Sequence, residues 1–389
     1  MTQTIFRLHP VMLPMSSIRT MFKRVASSAG ISGYPTTTSR SIVTAALTAA
    51  EAASQLQHTL VNKPVVRKQI LDGNQLQKLS LTLGRAKLWP DMDVSRGTAP
   101  PVGTPLPPGY HLVYFTPSEL EIDLGADGSD RVFNPPAPFT RRMWAGGRIQ
   151  WPDLPLRVGE RVEEVTRLVS ATVKRRRADV GSEMILVEVE KQFWGERGLS
   201  IVDQRSWIFQ RARDPLSSPS STTATTQPLT SIRTATYPKS SAQDLPSPDD
   251  PDGPPERHLV WSPAGLFRFS ALTFNAHMIH YNDPWTRQVE GHPAVVVHGP
   301  LNLICMLDYW RDNLQSSGQQ AREVLYRATA PVYAEEAYRI TAADTPAGGP
   351  ASSLDRVAGR GEVRHEVLVK KGEVVCMRGD IISTNDPDI

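Results

Sequence analysis

The chain has 389 residues, 40% of them hydrophobic, with 43 Lys and Arg against 40 Asp and Glu. That length allows about two domains and a sizeable core, and the two cysteines, Cys305 and Cys376, are too few for a disulfide framework or a paired-cysteine zinc site. No run approaches the roughly 18 apolar residues that cross a bilayer, so no membrane insertion is expected.

The first fifty residues hold Arg7, Arg19, Lys23, Arg24 and Arg40, many Ser and Thr, and no acid before Glu51. Basic, hydroxylated and acid-free is the composition of a mitochondrial presequence. Residues 1–60 therefore read as a presequence and disordered leader, cleaved on import into the matrix. Without those five charges 38 cations face 40 anions, and no electrostatic footprint for nucleic acid remains.

Further along, residues 69–83 carry Ile70, Leu71, Leu76, Leu79 and Leu83 at helical spacing. Strands are predicted at 110–115, 157–173, 184–193 and 199–209, where β-formers cluster. Residues 214–256 then hold nine prolines and fifteen Ser or Thr with few apolar residues. Such a stretch has little to bury, so it reads as a linker, dispensable between 217 and 249. It separates an N-terminal domain, 61–213, from a C-terminal one, 257–389. In the second, residues 301–313 are apolar nearly all round and predict a helix wrapped by its own domain. Strands are predicted at 323–330, 336–343, 363–370 and 373–382. The reading is α+β: a long antiparallel sheet curled around one central helix, used twice.

The chemistry concentrates between residues 275 and 298, which contain Asn275, His277, His280, Asn282, Asp283, His292 and His298. Polar groups of this kind are costly to bury without partners, so their clustering beside apolar strands marks a candidate site. His277 and His280 would meet on a helical turn, but without a third ligand at suitable spacing no metal is assigned, and no cofactor. His280 suits proton transfer near neutral pH. Lys174–Arg177 and Gly146–Gly147 read as turns. Ser270 lacks the setting of a nucleophile.

The segment Phe274-Asn275-Ala276-His277-Met278-Ile279-His280-Tyr281, followed by Val297-His298-Gly299-Pro300, resembles the active-site motif of the hotdog-fold R-specific enoyl-CoA hydratases, the MaoC-type family. Asn275 falls on the family's Asp, His280 on its His, and Gly299 on the helix-opening step whose N–H meets the thioester carbonyl. His277 and Met278 replace the family's Asn and Pro. A nearer subgroup, the mesaconyl-C4-CoA hydratases with the mitochondrial and fungal type 2 hydroxyacyl-thioester dehydratases, shares all of this string but Met278. The strings Leu106-Pro107-Pro108-Gly109-Tyr110-His111 and Met143-Trp144-Ala145-Gly146-Gly147, the latter read as a turn, resemble that subgroup's companion domain.

The resemblance implies a double hotdog whose C-terminal repeat carries a hydratase or dehydratase site for an acyl thioester of coenzyme A or acyl carrier protein, in a homodimer. His280, Asn275 and Gly299 would be catalytic, and His277, His298 and Val297 would bind substrate. A catalytically silent thioester-binding protein and a dehydratase of a secondary-metabolite pathway are the other readings the motif permits.

Overall fold

The computed structural model describes residues 46–152, 154–176, 179–213, 239–248, 250–343 and 362–385. The N-terminal half runs α1 (Ala49–Leu60), β1 (Val65–Ile70), α2 (Gly73–Thr82), a short pair β2 (Lys87–Trp89) and β3 (Met92–Asp93), then the long strands β4 (Arg141–Gln150), β5 (Arg161–Arg176), β6 (Asp179–Gly195) and β7 (Gly198–Gln210). The C-terminal half runs β8 (Ser241–Leu245), β9 (Glu256–Val260), α3 (Pro263–Leu272), α4 (Asp283–Gln288), α5 (Gly299–Asn313), β10 (Gln319–Ala328), β11 (Tyr338–Ala342), β12 (Glu362–Lys371) and β13 (Val374–Asn385).

Eleven strands form one antiparallel sheet in the order β1-β5-β6-β7-β4-β10-β13-β12-β11-β9-β8. With the separate pair β2–β3 and the edge strand β8 set aside, each half repeats one topology of five strands: the first (β1, β9) pairs with the third (β5, β11), then follow the fourth, the fifth and the second. The second strands, β4 and β10, pair with each other and make the two sheets continuous. Gly146 and Gly147 stand at this seam, where a Cβ would strike the carbonyls of Tyr326 and Gln204. The string expected as a turn is thus the middle of β4, with a bulge between Trp144 and Gly146. Glycine there admits a neighbouring backbone on each side.

Helix α5 is the central helix of the C-terminal half. Leu301, Leu303, Ile304, Met306, Leu307, Tyr309 and Trp310 are all buried, as an all-round apolar helix requires. The sheet face beneath it is apolar too: Val324, Ile340, Val367, Val369 and Ile381 belong to the same core. In the N-terminal half the expected helix divides into β1 and the shorter α2, because Asp72 caps the Asn74 N–H and starts the helix late. No counterpart of α5 follows α2 among the described residues.

Three further expectations are corrected. Residues 110–113 form a 3-10 turn, not a strand. Gly109, at φ 83°, lets that turn approach α5 (a Cβ would lie 2.7 Å from Leu307 Cδ1), and the Tyr110 hydroxyl donates to Asp308 at 2.9 Å. The leader cannot extend to residue 60, because α1 is folded. Thr48 and Glu51 cap it reciprocally, and Ala49, Ala52, Ala53 and Leu56 bury its inner face. The linker ends before residue 241. Strand β8 pairs with β9 at the sheet edge, and Asp244 accepts from Arg257 Nε and Nη2 at 2.7 and 2.8 Å. Residues 1–45 of the predicted leader, residues 214–238 and 249 of the predicted linker, and Arg177 lie outside the described residues.

Candidate active site at the junction of the two halves

Pro263 starts α3 behind the cap Ser262, whose hydroxyl accepts from the Gly265 N–H. The helix stops at Leu272, and Phe274 turns the chain with φ at 47°. Asn275 then closes a tight turn, its Oδ1 accepting the His277 N–H at 3.0 Å. That bond assigns the amide and leaves Nδ2 as the end free for other work.

A single 3-10 turn over Met278–His280 carries His280 into the interior. Its Nδ1 lies 2.8 Å from the Val296 carbonyl, which can only accept, so Nδ1 bears the proton. Nε2 is therefore a lone pair without a partner among the described residues. Burial pushes the imidazole down to about 4, although the Val296 bond opposes this. The ring is neutral at physiological pH, the form a general base requires.

The two neighbouring histidines are held against it. His298 stacks on His280 with centroids 3.7 Å apart and planes 17° from parallel. Its Nε2 lies 2.9 Å from Ser270 Oγ. His277 meets the His280 ring edge-on at 5.5 Å, and its Nε2 lies 3.3 Å from Asp127. Burial holds both rings well below the usual imidazole range, assisted by the mutual repulsion of the cluster.

His298 is also the N-cap of α5, so Gly299 opens that helix with its N–H unused by the helical ladder. A Cβ on Gly299 would come within 2.9 Å of the Trp144 ring. Glycine is thus required by a side chain of the other half as well as by any ligand approaching the N–H.

Asn275, His277, His280, Val297, His298 and Gly299 all line one cavity of about 730 Å³. His292 reaches it also. Asn282 instead caps α4, accepting from the Trp285 N–H, and Asp283 pairs with Arg287 on the surface. Among the described residues no group of His, Cys, Asp or Glu is arranged to hold a metal.

About half of the wall comes from the N-terminal half, which the histidine motif did not announce. Asp127 braces the motif twice, through His277 and through its carbonyl, which accepts the Met278 N–H at 2.8 Å. Arg142, paired with Asp130 at 2.9 Å, lines the cavity beside His277 and His280. Trp144 packs on Gly299. The only sequence signal for these was the Met143–Gly147 string, since single Asp and Arg residues in loops and strands have no periodicity to betray them.

The model of the family hydroxyacyl-thioester dehydratase type 2 matches two segments, residues 109–241 and 222–334. The mesaconyl-C(4)-CoA hydratase of Chloroflexus aurantiacus is 30% identical over 246 residues, 63% of this chain and 77% of that protein. The mitochondrial hydroxyacyl-thioester dehydratase type 2 of Schizosaccharomyces pombe is 26% identical over 292 residues, 72% of this chain and 90% of that one. Two solved structures of MaoC-like dehydratases, one from Phytophthora capsici, superpose with TM-scores of 0.52 at 13% identity, covering 85% of this chain and 99% of theirs. They support the double-hotdog fold, and the sequence matches carry the assignment: this chain is a member of the hydroxyacyl-thioester dehydratase type 2 family.

Proposed function

We propose that the chain is a hydro-lyase that interconverts 2-enoyl and 3-hydroxyacyl thioesters, with His280 as its proton-transfer group. In the hydration direction Nε2 of His280 takes a proton from water as the water oxygen bonds to the β-carbon. The double-bond electrons move toward the thioester oxygen, and the imidazolium returns its proton to the α-carbon. The Gly299 N–H, at the positive end of α5, stabilises the enolate oxygen. Asn275 Nδ2 donates to the attacking water and sets its position. Val297 shapes the acyl wall, while His277 and His298 bear on the substrate through the same wall and on the His280 ring.

The observation that carries this reading is the fixed tautomer of His280: a lone pair on Nε2, in the same cavity as the first N–H of α5. Loss of enoyl absorbance on a panel of acyl thioesters tests it, using protein that begins near residue 46. His280→Ala should cut turnover about 10²- to 10⁴-fold, with a much smaller loss in product-thioester binding. Thioester binding without any turnover would establish a silent binder instead.

Three finer statements belong to the same reading. The acyl carrier is coenzyme A, which the name of the Chloroflexus relative prints, or acyl carrier protein, and running each substrate in both forms separates them. The site of action is the mitochondrial matrix, supported by the acid-free leader and by the mitochondrial name of the fission-yeast relative; cytosolic protein retaining Met1 would refute it. A homodimer is supported by the edge strand β1, which leaves Val66 and Ile70 exposed. Sedimentation at the mass of one chain would exclude it.

A further inference from the structure

Asn302 and Asp308 interrupt the buried apolar surface of α5. Asp308 is well served, accepting from Tyr110 and from Arg311. Asn302 has only one side-chain partner. The Tyr338 hydroxyl takes the Nε1–H of Trp261 at 2.8 Å and donates to Asn302 Oδ1 at 2.9 Å. Trp261 Nε1 can only donate, so the hydroxyl's own proton is left for Oδ1. All three residues are buried, and burial holds the Tyr338 hydroxyl well above its usual range, so it keeps that proton.

The relay turns the amide oxygen toward β11 and Nδ2 away from it. Nδ2 has no partner among the described residues and is not enclosed, and Asn302 lines the cavity, so the two N–H bonds open there. Leucine would suit this position better if packing alone mattered, because asparagine is the weaker helix former and an unpaired buried amide is costly. Residues three apart on a helix share a face, and a helical side chain leans over the turn before its own Cα. Asn302 therefore covers the turn that Gly299 opens. Gly299 presents one N–H there, and Pro300 after it has none.

We propose that Asn302 Nδ2 is a second donor to the thioester oxygen, paired with the Gly299 N–H, and that Tyr338 and Trp261 hold it in place. The inference rests on the hydro-lyase reading and completes its site for the enolate charge. A 2-enoyl thioester carries one good acceptor within a helical turn of the Gly299 N–H, its carbonyl oxygen. As the double-bond electrons move onto that oxygen, two preorganised donors share the charge instead of one. Tyr338 and Trp261 do not line the cavity and act through Asn302, as positioning residues.

Three variants, assayed with crotonyl-CoA, separate donor from scaffold. Asn302→Leu removes the donor and the bond to Tyr338, whereas Tyr338→Phe removes the same bond and keeps the donor. Asn302→Leu should lower kcat about 10²- to 10³-fold, as loss of one oxyanion donor does, with KM little changed. Tyr338→Phe should lose much less. Because Asn302→Leu leaves the Tyr338 hydroxyl without an acceptor, the double variant removes both polar groups together and should show the same low kcat in a folded protein. Equal losses of kcat in the two single variants would make the bond the cause and overturn the donor. A raised KM at unchanged kcat would overturn it too. Binding reads the donor without turnover, since butyryl-CoA and S-butyl-CoA differ only at the carbonyl. The wild-type preference for butyryl-CoA should shrink about 2- to 10-fold in the double variant, the worth of one neutral hydrogen bond. No preference in the wild type, or the same preference in both proteins, overturns the donor and leaves the lyase intact. A preference that shrinks in a protein turning over no thioester would refute the lyase and keep the donor.

Discussion

The two halves of the molecule share a strand order and fill it differently. In the C-terminal half a sheet face of Val, Ile and Leu is covered by α5, a helix apolar all round. In the N-terminal half α2 is shorter, no α-helix follows it among the described residues, and the buried strand residues include the charged Glu164, Lys191 and Asp203. One half fills its interior with a helix whose first residue opens on the cavity. The other lines the opposite wall of that cavity and supplies the side chains that brace the motif. A sheet plus a central helix makes a self-sufficient core. A sheet without one makes half of a binding site.

Gly299→Ala breaks this division of labour most sharply. The new methyl would meet the Trp144 ring at 2.9 Å, so helix start and β4 must separate and the N–H loses its aim. Loss of one oxyanion donor is worth about 10²- to 10³-fold in kcat. Thioester-dependent activity should fall by that much while KM changes little. Unchanged kcat would show that the thioester oxygen is held elsewhere.

Much of the C-terminal half was legible in the sequence, because its signals are periodic or local. An all-round apolar run can only be a buried helix, and three histidines with a His-Gly step announce a site on their own. The N-terminal half was less legible. Its contribution depends on register: Lys191 is a charged residue, yet Val187, Val189 and Phe193 share its face and carry it inside. Gly146 and Gly147 looked like a turn because turn chemistry and close approach of another strand demand the same residue. Strand β8 was hidden because an edge strand needs no apolar face; all five of its residues are exposed.

Acid should separate the halves by stability. His277, His280 and His298 have folded-state values below the ordinary 6.5, so the unfolded chain takes up protons first as the pH falls. Their stabilisation is complete above about pH 6.5 and is lost on the way down to about 4 for His280, on the order of 3 kcal/mol for that residue alone. Burial shifts His111 of the N-terminal half the same way, against the pull of Asp203. The Asp203 carboxyl is itself held down by Arg205 and His111 despite its burial, so its contribution disappears only below about pH 4. Melting temperature should decline steadily from pH 6.5 to 4.5. His298→Phe, which keeps a ring against His280 and removes one titrating group, should decline less steeply. Equal slopes would mean that His298 does not titrate in this window.

The contact between the halves is the next test. Tyr110 is fully buried in the 3-10 turn that stands against α5, and its hydroxyl serves Asp308, which also holds Arg311 at 2.9 Å. Tyr110→Phe preserves the packing and removes one donor from a buried carboxylate. Stability should drop by about 1–2 kcal/mol in denaturant unfolding. A second transition in the same curve would show that the halves unfold separately once this bond is gone.

The smallest effect concerns the segment between the halves, and two deletions of similar size divide it. Removing residues 241–249 takes away β8 and with it the paired bonds from Asp244 to Arg257, whose side chain keeps only Asp312 at 2.9 Å. Five strand residues at a solvent-facing edge bury little, so the cost is chiefly that of one bidentate ion pair, about 1 kcal/mol. Removing residues 222–232 shortens a Ser- and Thr-rich stretch with only Leu229 and Ile232 to bury. Loop length enters stability only logarithmically, so unfolding should move by less than about 0.5 kcal/mol and turnover should stay at the wild-type level. A larger loss from the second deletion than from the first would mean that residues 222–232 pack on the folded body, and the segment would then belong to one half rather than join the two.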